Sequence, residues 1–286
     1  MLHKTPSDPR PSPLAGLWYP GRADRLRATI EGFLEQPAPE MTGGEVRGLL
    51  APHAGYRYSG PVAAHAFSAV AGQHFETVVI AGPLHHRLVG LPRGARLLTT
   101  DHDAYATPLG TVSIDHDALA RLGMALGASL PLIPIRDDPE HSIEIEIPFL
   151  QATLRPGFRI VPIMLIDQSQ PTAAALGAAL AEALRDRRAL FIASSDLSHF
   201  YPQAEANALD LKMLACVADM DAPRVIAYDE GGVAFACGHG AIAAVIHALQ
   251  ALGQPQANIV RYATSGDVTG DFSRVVGYGA ATFQSA

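Results

Sequence analysis

The chain has 286 residues, of which 48% are hydrophobic and 17% charged, and a formal net charge of −7 with its 12 histidines neutral. This composition supports a sizeable folded core and excludes a disordered chain. Because nucleic-acid backbones are bound by clustered Lys and Arg, the acidic balance argues against a nucleic-acid partner.

Targeting and membrane signals are weak along the whole sequence. Met1 to Pro13 is polar and proline-rich, without the apolar segment of a signal peptide. No apolar run reaches the roughly 20 residues that span a bilayer. The only cysteines are Cys216 and Cys237, which favours a reducing compartment. We therefore expect a cytoplasmic protein without a membrane partner.

Apolar runs alternate with helix-like segments along the chain. Predicted strands are Val46–Ala51, Thr77–Ala81, Phe158–Leu165, Ala189–Ala193, Asn258–Ala263 and Arg274–Phe283. Predicted helices lie near Pro61–Ala71, Pro171–Arg187, Gln203–Asp219 and His239–Leu252, with a turn at His53–Gly60. The Pro- and Gly-rich stretch Gln36–Gly44 reads as a connection into the first core strand. This order predicts a single α/β domain over 1–286, with a largely parallel sheet and helices on both faces.

Polar, titratable residues follow three of these strands. His53 follows the first, His85 the second, and Asp196 and His199 a later one. Parallel strands place their carboxyl ends at one edge of the sheet, where α/β proteins bind ligands. We expect these residues to line one crevice. Because neighbours in an extended segment point in opposite directions, at most one of His85 and His86 should face a given metal.

Cys237 directly precedes a predicted helix. A helix amino terminus stabilises a thiolate, the form that binds metals or attacks electrophiles. The alternative is a small buried residue in a glycine turn, and Cys216, in mid-helix, is interpreted as core. A nucleophile built on Cys237 and His239 is disfavoured, since residues two apart do not generally face each other.

His141 and Glu144 form another cluster, followed by Glu146. If the segment is helical, His141 and Glu144 share a face at i, i+3 spacing and could orient ligands or substrate. An ordinary helix start with charged side chains explains the pattern equally well.

Together these segments resemble the Memo family, the protein B type of the AmmeMemoRadiSam system, nearly end to end. The resemblance rests on AGLWYP (15–20), APHAGYRYSG (51–60), GPLHH (82–86), EHSIE (140–144), SSD (194–196) with His199, and CG (237–238). The family is described as binding iron or copper. Its fold is similar to that of class III extradiol (LigB-like) dioxygenases, which cleave catechol rings with non-haem Fe(II).

The resemblance implies that His53, His85 and Cys237 are metal ligands. It also implies that Asp196 and His199 line the same pocket, with His199 matching the acid–base histidine of the dioxygenases. Further candidates for lining the pocket or supporting the ligands are Tyr56, His86, His141, Glu144 and His239.

The sequence departs from the dioxygenase pattern at one ligand. Those enzymes use two histidines and a carboxylate, whereas Cys237 would supply a thiolate, which favours Cu(I), makes zinc plausible and is itself oxidisable. Leu84 also stands where many relatives have Ser, which removes a polar group beside His85.

Three functions are compatible with this ligand set. We rank a non-haem metal-dependent oxidoreductase acting on a small molecule first, with His199 moving protons. A non-enzymatic metal or redox protein is second, with Amme-type and radical SAM proteins as candidate partners. A zinc hydrolase is third.

Overall fold

The computed structural model describes residues 8–35, 44–254 and 256–285. Residues 1–7 of the polar amino-terminal segment lie outside the described residues. So do residues 36–43, which make up all but the last residue of the predicted connection Gln36–Gly44. The strands are β1 (Pro9–Arg10), β2 (Val46–Ala51), β3 (Thr77–Pro83), β4 (Leu97–Thr100), β5 (Ala104–Thr107), β6 (Gly110–Ser113), β7 (Leu132–Ile135), β8 (Arg159–Leu165), β9 (Ala189–Ser194), β10 (His199–Tyr201), β11 (Gln256–Thr264) and β12 (Val275–Gln284). The α-helices are α1 (Ala23–Leu34), α2 (Tyr56–Ser68), α3 (His116–Leu126), α4 (Ile147–Thr153), α5 (Gln170–Leu184), α6 (Gln203–Ala218), α7 (Ala222–Glu230), α8 (His239–Ala251) and α9 (Gly266–Thr269).

One large mixed sheet organises the part of the chain that the structure describes. Its strand order is β10-β12-β2-β9-β3-β8-β4-β7, and β11 pairs with β12. The central strands β2, β9, β3 and β8 are parallel, which confirms the predicted α/β class. On one side, β12 runs antiparallel to β2, β10 and β11, and the short connection between β11 and β12 is too close for a parallel crossover. On the other side, β4 runs antiparallel to β8 and pairs in parallel with the edge strand β7.

Helices cover both faces of this sheet, as predicted. Helices α3, α5, α6, α7 and α8 contribute to one buried apolar cluster, and α1, α2 and α4 to the other. Helices α5 and α8 approach closely: a Cβ added at Gly177 would lie 2.4 Å from the Cβ of His247. The small side chains of these two helices therefore serve tight packing over the sheet.

The predicted turn at His53–Gly60 is wrong in its second half. Helix α2 begins at Tyr56 and contains Pro61, which we expected near its start. Gly55 precedes the helix, the backbone N–H of Tyr56 donates to the carbonyl of Trp18 at 2.9 Å, and the Ser59 hydroxyl donates to the carbonyl of Ala54 at 2.7 Å. Because these hydrogen bonds stabilise the first turn, the helix begins five residues before Pro61.

A second, smaller sheet of β1, β5 and β6 was not predicted. Its first strand is only Pro9–Arg10, too short to leave a periodic pattern in the sequence. It carries Arg10, which is 1% exposed, into the protein beside the loop at 138–140. Among the described helices, none combines the length and apolarity required to cross a bilayer.

Candidate metal site

The carboxyl ends of β2, β3 and β9 meet at one pocket. His53, His85 and Asp196 come from the segments that follow these three strands. The cavity has a volume of about 470 Å³. Its walls are formed by Leu17, Trp18, His53, Ala54, Gly55, Tyr58, His85, His141, Asp196, His199, Val276 and Tyr278.

The donor atoms of several candidate ligands lie close together. The Nε2 atom of His53 is 3.1 Å from the Sγ atom of Cys237. Ligand nitrogens of His53, His85 and His141 all lie within 4.8 Å of one another. Because Zn–N and Zn–S bonds are about 2.0–2.3 Å long, ligand atoms of one metal stand roughly 3–4 Å apart. The three histidines therefore form a donor group that fits a metal ion, with His141 in addition to the two implied histidine ligands. The implied third ligand, Cys237, adjoins this group at His53.

Hydrogen bonds orient the histidine rings. The Nδ1 atom of His53 lies 2.9 Å from the hydroxyl of Ser194, and that of His85 lies 3.0 Å from Oε1 of Glu140. In metal sites, the ring nitrogen opposite the metal normally contacts such a partner. Both contacts leave Nε2 as the nitrogen available to a metal.

Glu140 fixes the loop that carries this cluster. Its Oε1 accepts hydrogen bonds from the backbone N–H groups of His141 and Ser142, both at 2.9 Å, and its Oε2 from that of His85 at 2.5 Å. Together with the His85 ring, four donors therefore hold this carboxylate, three at Oε1 and one at Oε2. A second group of donors, His86, Glu140 and His141, shares His141 with the first group, so we do not assign a separate metal there.

The thiol of Cys237 is neutral in the metal-free protein, contrary to the expectation from the helix amino terminus. Burial, followed by the negative charge of Asp196, raises the pKa of Cys237 far above its usual range. The backbone N–H of Asp196 donates to the sulfur at 3.2 Å, but this bond does not offset the loss of hydration. A metal would therefore have to displace the thiol proton.

Burial also acts on the other titratable groups of the pocket. It lowers the pKa of His53 well below its usual value and that of His141 to about 4, and it lowers the pKa of His199. These rings are neutral near pH 7 and able to ligate or accept protons. Burial raises the pKa of Asp196 to about 7, although its carboxylate accepts from the backbone N–H of His53 at 2.8 Å.

The sequence matches the Memo-like protein family over residues 10–282. The chain belongs to the Memo-like family. Similar proteins include a MEMO1 family protein of Methanothermobacter thermautotrophicus, 40% identical, with 93% of this chain and 96% of the relative covered. A MEMO1 family protein of Methanopyrus kandleri is 37% identical (95% and 97% covered), and one of Nitrosopumilus maritimus is 33% identical (94% and 98%).

In this Memo-family chain, the structure does not form the predicted pair of His141 and Glu144. Glu144 starts a 3₁₀ turn (Glu144–Glu146) before α4, whereas His141 lies upstream and stacks on His85, with ring centres 4.4 Å apart. The Glu144 carboxylate instead accepts from Arg10 at 2.6 Å and from the Tyr19 hydroxyl at 2.7 Å. Glu144 therefore belongs to a buried network outside the pocket lining.

Three other candidate residues also lie away from the pocket lining. Tyr56 is 2% exposed and donates its hydroxyl to the carbonyl of Ile145 at 2.9 Å. His86 is exposed, with its ring centre 6.1 Å from that of His141. His239 lines a neighbouring cavity of about 290 Å³, where its Nδ1 is 3.2 Å from Asp229. His199 lines both cavities, whereas Cys237 belongs to the lining of this neighbouring cavity and reaches the main pocket's cluster through its contact with His53.

Sequence reasoning assigned no role to several residues that shape the site. Glu140 holds His85, and the guanidinium of Arg10 donates to the Glu140 carbonyl at 2.9 Å and to both carboxylate oxygens of Asp138. The Trp18 ring lies 4.5 Å from that of His141. Trp18 and Glu140 occur inside the segments AGLWYP and EHSIE, which was the only available signal.

Proposed function

We propose that this Memo-family protein is a non-haem metal-dependent oxidoreductase related to class III extradiol dioxygenases. Iron or copper would be held by His53, His85 and Cys237, with His141 as a further nitrogen donor. The observation that supports the proposal most is the 3.1 Å approach of His53 Nε2 to Cys237 Sγ, beside a second histidine anchored by a buried carboxylate. A bound iron or copper ion would supply redox chemistry and Lewis acidity at this cluster.

The proton-handling role falls to His199. Its Nδ1 donates to the carbonyl of Leu197 at 2.8 Å, which leaves Nε2 as the free, basic nitrogen of a ring that lines the pocket. Because its pKa is lowered, the ring is neutral near pH 7 and accepts a proton from a substrate hydroxyl. The carboxylate of Asp196 anchors the His53 loop by accepting a hydrogen bond from the backbone N–H of His53.

The shape of the pocket favours a small aromatic substrate. Trp18, Tyr58 and Tyr278 contribute rings to the pocket wall beside the histidines, and the volume of about 470 Å³ suits a compact molecule. A catechol-like compound would place its ring against these side chains and its hydroxyl groups toward the nitrogen donors.

The environment of Cys237 favours a second candidate function. A half-buried thiol 3.1 Å from the neutral imidazole of His53 is a soft donor pair, suited to Cu(I). Such a protein would bind metal without turning over a substrate and would act through partners, for which Amme-type and radical SAM proteins are our candidates.

Oxygen consumption distinguishes these functions. The protein is loaded anaerobically with Fe(II), mixed with a panel of catechols and air, and compared with an authentic extradiol dioxygenase. We expect oxygen uptake that is lost in His199→Ala and kept in the control His116→Ala, an exposed position on α3. Full iron loading without oxygen uptake on any catechol, together with tight Cu(I) binding, would contradict the oxidoreductase and support the second function.

A further inference from the structure

Ser194 connects His53 to a buried carboxyl group that has no role in the chemistry above. Ser194 is the last residue of β9, and Glu146 ends the 3₁₀ turn before α4. The Ser194 Oγ lies 2.6 Å from the carbonyl oxygen of Ser142, 2.7 Å from Oε1 of Glu146 and 2.9 Å from Nδ1 of His53. All these groups belong to buried residues.

The number of hydrogen atoms available at the Ser194 hydroxyl determines which group donates in each of its three hydrogen bonds. A hydroxyl has one hydrogen and two lone pairs, and a backbone carbonyl only accepts. The Ser142 carbonyl, at the shortest distance, therefore takes the Ser194 hydrogen. The two other neighbours then have to donate to the lone pairs of Ser194. His53 donates from Nδ1–H, and Glu146 donates as a protonated carboxylic acid.

The surroundings of Glu146 support this assignment. Glu146 is 1% exposed, and no Lys or Arg of the described segments forms an ion pair with it. Burial raises the pKa of Glu146 well above its usual value; a hydrogen bond donated by Ser194 would lower it, and the charge of Asp196 raises it further. If Ser194 donated to an ionised Glu146 instead, a carboxylate without a cationic partner would be buried. The Ser142 carbonyl would then face a lone pair of Ser194, and both effects are unfavourable.

We propose that Glu146 is a positioning residue: it keeps its proton, donates it to Ser194, and thereby holds His53 as the Nδ1–H tautomer with Nε2 free. The consequence for metal binding rests on the proposed function, whereas the assignment of the two hydrogens does not. The chain Glu146–Ser194–His53 selects the nitrogen that faces Cys237, and a merely structural carboxyl group would not affect the tautomer of a distant ring.

Infrared and NMR spectra of the metal-free protein test the proposal. At pH 8, where Asp196 with its pKa of about 7 is mostly ionised, the protein should show the carbonyl stretch of a buried carboxylic acid that Glu146→Gln removes. The ¹⁵N shifts of His53, assigned by their loss in His53→Gln, should report Nδ1–H. The conservative Glu146→Gln variant should keep this tautomer because its amide N–H also donates, whereas Glu146→Ala and Ser194→Ala should mix the tautomers.

Metal titration gives an independent measurement. Ser194→Ala should weaken metal binding about 10–100-fold, as expected for loss of the hydrogen-bond partner of a ligand. The single variant Glu146→Gln should keep most of the parent affinity. Absence of the acid band, or a His53 ring protonated at Nε2, would overturn the proposal. A protein that binds no metal but shows both spectral signatures would contradict the proposed function and still support the role of Glu146.

Discussion

Replacement of Glu140 by Gln tests how the buried carboxylate supports the site. Oε1 accepts from the His85 ring at 3.0 Å and from the N–H groups of His141 and Ser142 at 2.9 Å, whereas Oε2 accepts only from the N–H of His85. The single oxygen of Gln is best placed at the position with three bonds. Its amide NH₂ then faces the His85 N–H, where two donors meet at 2.5 Å.

The expected loss follows from these bonds. A hydrogen bond to a charged group contributes about 1.5–3 kcal/mol, so losing the Oε2 bond should cost roughly 2 kcal/mol. The other three bonds lose their charge assistance, which adds about 1 kcal/mol in total. We expect Glu140→Gln to lower the free energy of unfolding by ~3 kcal/mol at pH 7 and metal affinity by about 10–100-fold.

The loss should depend on pH. Burial alone would raise the pKa of Glu140, but the bonds from His85 and the Ser142 N–H hold it well below its usual range. Because the pKa of Glu140 is depressed in the folded state, its carboxylate stabilises the fold fully above the unfolded pKa of about 4.5. This stabilisation decreases as the pH falls below that value. Urea unfolding of both proteins at pH 7 and below pH 4.5 should show the difference shrinking on acidification.

Glu182→Gln, at an exposed position on α5, is the matched control. It should be indistinguishable from the parent in stability and in metal affinity. If Glu140→Gln behaves like Glu182→Gln in both measurements, the carboxylate does not anchor the His85 loop and the reasoning is refuted.

Further predictions concern the thiol, its turn and Asp196. Because the Cys237 thiol is neutral, metal binding should release one proton, and affinity measured calorimetrically should rise about tenfold per pH unit; a slope unchanged in Cys237→Ser would contradict this. In Gly238→Ala the new Cβ would lie 2.6 Å from the carbonyl oxygen of Ser194, so thermal unfolding should show a loss of about 1–3 kcal/mol, and an unchanged Tm would disprove this packing. The raised pKa of Asp196 means that its contribution is full below pH 3.8 and is lost as pH rises through about 7. Metal-free Asp196→Asn should therefore lose less stability than the parent between about pH 4 and pH 7, and parallel urea-unfolding profiles over that range would refute this.

The central strands and their meeting edge were predictable from sequence. Continuous apolar runs mark β2, β3 and β9 because both faces of a parallel strand are buried. Since parallel strands end at one edge, the approach of His53, His85 and Asp196 followed from their positions alone.

The supporting contacts could not be predicted, because they join distant parts of the chain. Arg10 reaches Glu144 across 134 positions, and this pair withdraws Glu144 from the expected partner His141. For Cys237, the local argument from the helix amino terminus failed because burial and the Asp196 charge, both set by the tertiary fold, outweigh it. Local patterns place the ligand candidates, whereas the global fold determines their protonation.

Anaerobic metal titration with elemental analysis tests most directly whether His53, His85 and Cys237 build a metal centre. The parent protein and the His116→Ala control should bind about one iron or copper ion per chain, and His53→Ala and Cys237→Ser should each lose stoichiometric binding. A parent protein that binds neither metal, or variants that bind as tightly as the parent, would contradict the account.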